Sequence, residues 1–169
     1  TKSIVKKHKK SLLFLIKFFG VYFALLSIYN CYLSKTQQKE TTFICSPVTQ
    51  NVATQTTSML NFFGYNTSSI QHSKELSIKL FLNNRYIARV IEGCNGISII
   101  ILFIAFVIAF SGPIKQTALY IIFGSALIYG VNIIRIGFLV VLLDKFPNQQ
   151  TFLHNLLFPA IIYGLTFFL

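Results

Sequence analysis

The sequence predicts an all-α polytopic membrane protein with about four transmembrane helices and a small extracytoplasmic segment, an amphipathic helix plus a β-hairpin. Three observations support this fold class. The 169-residue chain is 54% hydrophobic and only 11% charged, which is unusual for a soluble domain. Several apolar runs approach or exceed the roughly 18–20 residues that a helix needs to cross a bilayer. A lysine-rich stretch, residues 1–11, precedes the first of these runs.

We interpret the chain as a single membrane domain, residues 1–169, and place its spans at the apolar runs. The predicted spans are residues 12–33, 94–112, 118–143 and 152–169. The basic tail belongs in the cytoplasm by the positive-inside rule, which leaves residues 34–93 outside. The net charge of +11 is then an orientation signal beside anionic headgroups. We therefore expect the lipid bilayer as a partner and no nucleic acid.

The extracytoplasmic segment carries signals for two structural elements. The Ser-Pro pair at 46–47 predicts the start of an amphipathic helix, which Gly64 would end. Its apolar residues recur at helical spacing, with Thr, Gln and Asn on the opposite face, so we expect it to lie on the membrane or on the spans. Period-two alternation around the Asn-Asn pair at 83–84 predicts the hairpin. That hairpin would deliver Cys94 to the membrane surface and offer an edge to an extended peptide.

Three side chains with reactive chemistry lie at the predicted outer boundary of the membrane. Cys94 lies between two glycines at the start of the second span, and His154 is near the start of the fourth. Arg135 shares a helix face with Asn132 and lies ~12 Å below the outer end of the third span. A charge in a span costs about 2.5–3.5 kcal/mol on insertion scales, so Arg135 should face a cavity or a partner. The predicted topology brings all three to one face of the membrane.

A thiol, an imidazole and a guanidinium together support acyl transfer. Cys94 would attack a peptide carbonyl and form a thioester, and His154 would take up the thiol proton and return it to the leaving amine. Arg135 would hold either the oxyanion or the substrate carbonyl, and the spacing does not separate these two roles. The alternatives are that Arg135 only packs helices and that His154 is a headgroup-level polar residue.

Other chemistries are less well supported by the residues. Cys45 and Cys94 would share an oxidising compartment, so a disulfide between them is one alternative. The sequence has no C-x-x-C, H-E-x-x-H or G-x-S-x-G pattern, which argues against thiol–disulfide, zinc and serine enzymes. We expect no metal and no cofactor.

Three short segments carry a family resemblance: Glu-Gly-Cys-Asn-Gly at 92–96, Asn-Ile-Ile-Arg at 132–135 and Phe-Leu-His-Asn at 152–155. Together they resemble the exosortase/archaeosortase family, and the short exosortase F type of Gram-negative bacteria most closely. The resemblance implies that Cys94 is the nucleophile, Arg135 the assisting cation and His154 the acid/base. Supporting residues would be Asn132, Asn95 and Gly96.

The resemblance also implies a substrate and a location. The substrates would be membrane proteins with a carboxy-terminal sorting signal, composed of a short motif, a hydrophobic helix and a basic tail. The chain would be a multi-pass protein of the bacterial inner (plasma) membrane with its active site facing the periplasm. Typical members have more spans, so the substrate would be bound either by this chain alone or together with a partner subunit. Many members also have Ser or Ala at the position of Asn95.

The sequence thus predicts an intramembrane or interfacial cysteine protease-transpeptidase. It would cleave the sorting signal through a thioester and transfer the exported protein to a surface acceptor. The alternative is a non-catalytic polytopic scaffold or assembly subunit, in which Arg135 and His154 only hold helices together.

Overall fold

A computed structural model describes residues 9–38, 42–110 and 112–146, together with Ala160, Tyr163, Gly164 and Phe168. The helices and strands are α1 (Lys9–Thr36), α2 (Pro47–Phe62), β1 (Thr67–Gln71), β2 (Ser77–Leu82), β3 (Arg85–Ile91), α3 (Ile97–Ala109) and α4 (Ile114–Lys145). His154 lies outside the described residues, as does most of the predicted fourth span, so both stay predictions.

Helices α1, α3 and α4 pack side by side, with neighbours antiparallel. Phe14 of α1 makes edge contacts with Phe106 and Phe110 near the end of α3, and Phe103 of α3 lies against α4 beside Gly124. In the described part of the chain, α1 and α4 are long and apolar enough to cross a membrane. Helix α3 has 13 residues and is therefore ~20 Å long, shorter than the predicted span 94–112.

The predicted third span, 118–143, lies within the longer helix α4, and its outer end is packed in protein. Ile136, Val140 and Leu143 belong to a hydrophobic core that includes Leu80 of β2 and Val90 of β3. At 32 residues, α4 is ~48 Å long, whereas a hydrocarbon core is only ~30 Å thick. The carboxy-terminal part of α4 is thus covered by protein, since it packs in the core that β2 and β3 also form.

The segment between α1 and α3 folds into a small α/β unit, residues 42–91. Its three strands form an antiparallel sheet in the order β1-β2-β3. The predicted hairpin is confirmed: β2 and β3 flank Asn83 and Asn84, which have φ values of 50° and 64°, as a type I′ turn requires. Strand β1 was not predicted, so the fold is helical with a three-stranded sheet rather than all-α with a hairpin.

Helix α2 begins and ends where the sequence predicts. Ser46 is its N-cap, and Gly64 follows its last turn with a φ of 86°. The helix packs against the sheet and against α4, where the Met59 side chain closely approaches Gly137. Its buried face is more polar than expected. It includes Thr49, Thr56 and Thr57.

Candidate active site

The predicted nucleophile lies in a short connection, residues 92–96, which we call the nucleophile loop. It begins with a 3-10 turn, Glu92–Cys94, directly after β3, and it ends at Gly96, the N-cap of α3. Gly96 has a φ of 82°, and a Cβ there would lie 3.2 Å from Cγ of Asn132. Glycine is therefore required both for the backbone conformation and for the close approach of α4.

Helix α4 contacts the nucleophile loop with two side chains from adjacent turns. Asn132 donates a hydrogen bond from Nδ2 to the main-chain carbonyl of Cys94, at 2.9 Å. Arg135, half-buried, lies close enough to the Cys94 thiol to interact with it electrostatically. Tyr163, a described residue of the predicted fourth span, also lies within electrostatic range of Arg135. The cysteine and the arginine that the sequence predicted as partners thus meet.

Asn95 holds the other side of the nucleophile loop. Its Nδ2 donates hydrogen bonds to the Tyr29 hydroxyl at 2.7 Å and to the Thr49 hydroxyl at 3.1 Å. Its Oδ1 accepts from the backbone N–H of Ile97 at 3.0 Å, at the start of α3. Asn95 therefore joins α1, α2 and α3 immediately after Cys94.

Glu92, at the start of the loop, binds the N-terminus of α2. Its carboxylate accepts hydrogen bonds from the backbone N–H and the hydroxyl of Ser46, at 2.7 and 2.8 Å. It also accepts from the Thr49 hydroxyl, at 2.5 Å. A carboxylate at this place also complements the positive end of the helix dipole. The loop is thus attached to α2 before Cys94 as well as after it.

Sequence reasoning missed Tyr29, Thr49 and the role of Glu92. Tyr29 lies in an apolar run that indicated only a membrane anchor, and Thr49 lies on a face that was expected to be polar and exposed. The two hydrogen-bonding partners Thr49 and Glu92 are 43 positions apart. The only available signal was Glu92 itself, because a carboxylate beside a membrane boundary needs a partner.

The cysteines of the described residues are free, so the alternative of a disulfide between Cys45 and Cys94 is not realised. Cys45 is fully buried, and the Gln71 amide donates to its sulfur at 3.6 Å. Burial raises the pKa of the Cys45 thiol, against a smaller opposing effect of that hydrogen bond. Cys45 is therefore a structural thiol, and Cys94 is the half-buried one beside a cation.

The described residues contain no group of three or more His, Cys, Asp or Glu side chains that could hold a metal ion. The reactive groups that meet are a thiol, a guanidinium and amides. Such a set can carry out nucleophilic chemistry on a carbonyl and stabilise the resulting negative charge.

A comparison with protein families identifies the family of the chain. The family model described as transmembrane exosortase (Exosortase_EpsH) matches residues 12–169, which include every helix and strand of the structure except the first turn of α1. No curated protein and no solved structure matches the chain. The chain is a membrane protein that belongs to the transmembrane exosortase family.

Proposed function

We propose that the chain is a cysteine peptidase-transpeptidase that cleaves a carboxy-terminal sorting signal from exported membrane proteins and transfers them to a surface acceptor. The proximity of Arg135 to the Cys94 thiol is the observation that carries this proposal. A cation beside a cysteine favours the thiolate, which is the nucleophilic form. Membership in the exosortase family supports the same class of reaction.

In the first half of the proposed reaction, the sulfur of Cys94 attacks the carbonyl carbon of the scissile peptide bond. A tetrahedral intermediate forms and collapses, the C–N bond breaks, and the sorting signal leaves as an amine with one added proton. In the second half, a hydroxyl, an amine or water attacks the thioester. The C–S bond breaks, and the thiol is regenerated.

Arg135 would stabilise negative charge at two stages. Before attack it would lie beside the sulfur of Cys94, and after attack its N–H groups would donate to the oxyanion or to the substrate carbonyl. A preorganised cation contributes most where water is excluded, and Arg135 is half-buried between helices.

We assign the proton transfer to His154, because residues 152–155 resemble the family pattern. An imidazole would accept the thiol proton and later protonate the leaving amine. His154 lies outside the described residues. Tyr163 also carries a proton and lies near Arg135, so the comparison of His154→Ala with Tyr163→Phe assigns the role. Loss of processing in the tyrosine variant alone would transfer the acid/base function to Tyr163.

The proposed substrate would lie along the membrane part of the chain. The hydrophobic helix of a sorting signal would lie along the apolar helices, with its basic tail on the cytoplasmic side, as for the lysine-rich start of this chain. The short motif above that helix would then be level with Cys94. The chain would be a multi-pass protein of the bacterial inner membrane with the α/β unit in the periplasm, acting alone or with a partner subunit that helps to bind the substrate.

The test is co-expression with an exported protein that carries such a tail, with wild type and with Cys94→Ala or Arg135→Ala. We expect processing to stop with Cys94→Ala and to fall by about 100-fold or more with Arg135→Ala, as for the loss of an oxyanion donor. Cys31→Ala is the matched control, because Cys31 is an exposed residue of α1. Processing that persists with Cys94→Ala would support the scaffold alternative instead.

A further inference from the structure

We propose that Tyr29 and Thr49 are positioning residues of the nucleophile loop and act on Cys94 through Asn95. The inference rests on the proposed function, in which Cys94 is the nucleophile. It assigns a role at the site to helix α1, which the sequence indicated only as an anchor, and to the start of helix α2.

Every hydrogen-bonding group of the Asn95 side chain has a partner. Both Nδ2 hydrogens are donated, to the hydroxyls of Tyr29 and Thr49, and Oδ1 accepts from Ile97 N–H. Asn95 is fully buried, where an unmade hydrogen bond has no water to replace it. A fully satisfied buried amide has a single favourable orientation, so the backbone next to Cys94 is fixed.

The Thr49 hydroxyl forms hydrogen bonds with residues on both sides of Cys94 in the sequence. It donates to the Glu92 carboxylate, two residues before Cys94, and accepts from Asn95, one residue after it. Thr49 is itself fully buried, and a β-branched side chain in a helix has few χ1 rotamers. One rigid hydroxyl therefore sets the distance between the two ends of the turn that carries the thiol.

Tyr29 connects helix α1 to the nucleophile loop. Its hydroxyl accepts the 2.7 Å hydrogen bond from Asn95. At the other end of the same helix pair, Phe14 of α1 contacts Phe110 of α3 with ring centroids 4.9 Å apart. Helix α1 thus packs against α3 near its amino terminus, through Phe14, and binds the nucleophile loop near its carboxy terminus, through Tyr29. The carboxy-terminal part of α1 therefore sets the position of Asn95.

The function of this arrangement is to keep the thiol beside Arg135. Helix α4 holds the Cys94 carbonyl and supplies the cation, while Tyr29 and Thr49 hold the loop from the opposite side. A displacement of about 1 Å at a reacting group lowers rates by up to about 100-fold. Loss of either hydroxyl should therefore affect reactivity more than folding.

The experiment measures the alkylation rate of Cys94 by iodoacetamide, without substrate, in the membrane-embedded protein. The background carries Cys31→Ser and Cys45→Ala, because the chain has three cysteines and Cys94 is then the single thiol. Thr49→Val removes the hydroxyl at nearly constant shape, and Thr49→Ser retains it. Tyr32→Phe is the control for Tyr29→Phe, because the Tyr32 ring stacks on the Tyr29 ring. Processing of the tail-bearing protein is measured with the same variants.

We expect Thr49→Val and Tyr29→Phe to slow both alkylation and processing by about tenfold. Thr49→Ser should restore the rates to within about twofold, and Tyr32→Phe should leave them unchanged. Rescue by serine separates positioning from a structural role, because a role in packing alone would be served by valine. If Thr49→Val does not accumulate in the membrane, the rates of Tyr29→Phe alone test the proposal. That substitution removes only the hydroxyl oxygen and leaves the ring in place.

Wild-type or faster alkylation in Thr49→Val and Tyr29→Phe would overturn the proposal, as would an equal loss in Thr49→Ser and Thr49→Val. Failure of the proposed function gives a different result. In that case the tail-bearing protein is still processed by Cys94→Ala, whereas the alkylation differences among the Tyr29 and Thr49 variants remain.

Discussion

The Asn132 side chain is hydrogen-bonded to the main-chain carbonyl of Cys94, at 2.9 Å, so the helix that carries the cation also holds the nucleophile's backbone. Asn132 and Arg135 are three residues apart on α4 and therefore lie on one face of the helix. A site built on one rigid helix is more precise than a site assembled from separate loops. Helix α4 thus fixes one side of the nucleophile loop and carries the cation on the same face.

The first prediction concerns Asn132→Leu. The Asn132 side chain is buried, and its Oδ1 has no hydrogen-bond donor among the described residues. Leucine removes this unpaired acceptor but also leaves the Cys94 carbonyl without its donor. The two effects oppose each other, so the free energy of unfolding should change by about 1 kcal/mol or less. Processing should nevertheless fall about tenfold or more, because the loop loses its attachment to α4. Thermal unfolding in detergent and the processing assay measure the two effects, and full processing by the leucine variant would contradict the assignment.

The second prediction compares the two glycines that flank the cysteine. Gly96→Ala should lower the free energy of unfolding by about 1–3 kcal/mol, the cost of a strained backbone conformation, since its φ is 82° and its Cβ would press on Asn132. Gly93→Ala is the control, because a Cβ there meets nothing within 4 Å. Equal stability of the two variants would show that the tight turn at Gly96 is not required.

The third prediction tests the attachment of the nucleophile loop to helix α2. Glu92→Gln replaces a carboxylate that accepts hydrogen bonds from Ser46 and Thr49, and it should lower the free energy of unfolding by about 1–2 kcal/mol. Glu75→Gln is the matched control. Its carboxylate forms an exposed ion pair with Arg89, and such pairs contribute about 0–1 kcal/mol. The free energy is measured by denaturant unfolding, and a larger loss in the control would refute the role of Glu92.

The fourth prediction concerns the packing of α3 on α4. Gly124→Ala would place a methyl group on the ring of Phe103, which is buried, and overpacking of this kind costs about 1–3 kcal/mol. Gly130→Ala lies on the same helix, where a Cβ meets nothing within 4 Å. It should be neutral or stabilising by up to about 1 kcal/mol. The difference between their melting temperatures is the measurement, and a Gly130 variant that is as unstable as the Gly124 variant would contradict the packing.

The fifth prediction concerns Cys45 and pH. Burial raises the pKa of its thiol above the usual 9.0, so the native state retains the proton at pH values where the unfolded chain has lost it. Stability due to this group is complete below the unfolded pKa and is lost as the pH rises through the native pKa. Wild type should therefore lose more stability than Cys45→Ala in alkaline solution. Native Cys45 should also react with iodoacetamide far more slowly than Cys94, and rapid native labelling of Cys45 would contradict its burial.

Local signals in the sequence were sufficient where one short stretch determines the structure. The Ser-Pro start of α2, the Gly64 stop and the Asn-Asn turn each follow from the backbone preferences of two or three residues. The pairing of Cys94 with Arg135 was also expected, because a charge in an apolar run needs a partner. These residues indicated the site without showing its geometry.

The remaining features depend on contacts between distant residues. Strand β1 has the sequence Thr-Ser-Ser-Ile-Gln, which has no clear alternation, and it forms by pairing with β2. The apolar sequence of α4 from Ile136 to Leu143 does not show whether lipid or a protein core covers these residues, because both environments favour apolar side chains. Tyr29 and Thr49 were missed for a similar reason. Their shared partner, Asn95, is 66 positions from Tyr29 and 46 positions from Thr49 in the sequence.

The most direct test of the central claim is the detection of an acyl group on Cys94. The protein is isolated after co-expression with a tail-bearing substrate, and the peptide that contains residue 94 is examined by mass spectrometry. We predict a hydroxylamine-sensitive thioester that joins Cys94 to the new carboxy terminus of the substrate and is absent from Cys94→Ala. Substrate processing with no acyl adduct on Cys94, and with undiminished processing by Cys94→Ala, would contradict the account.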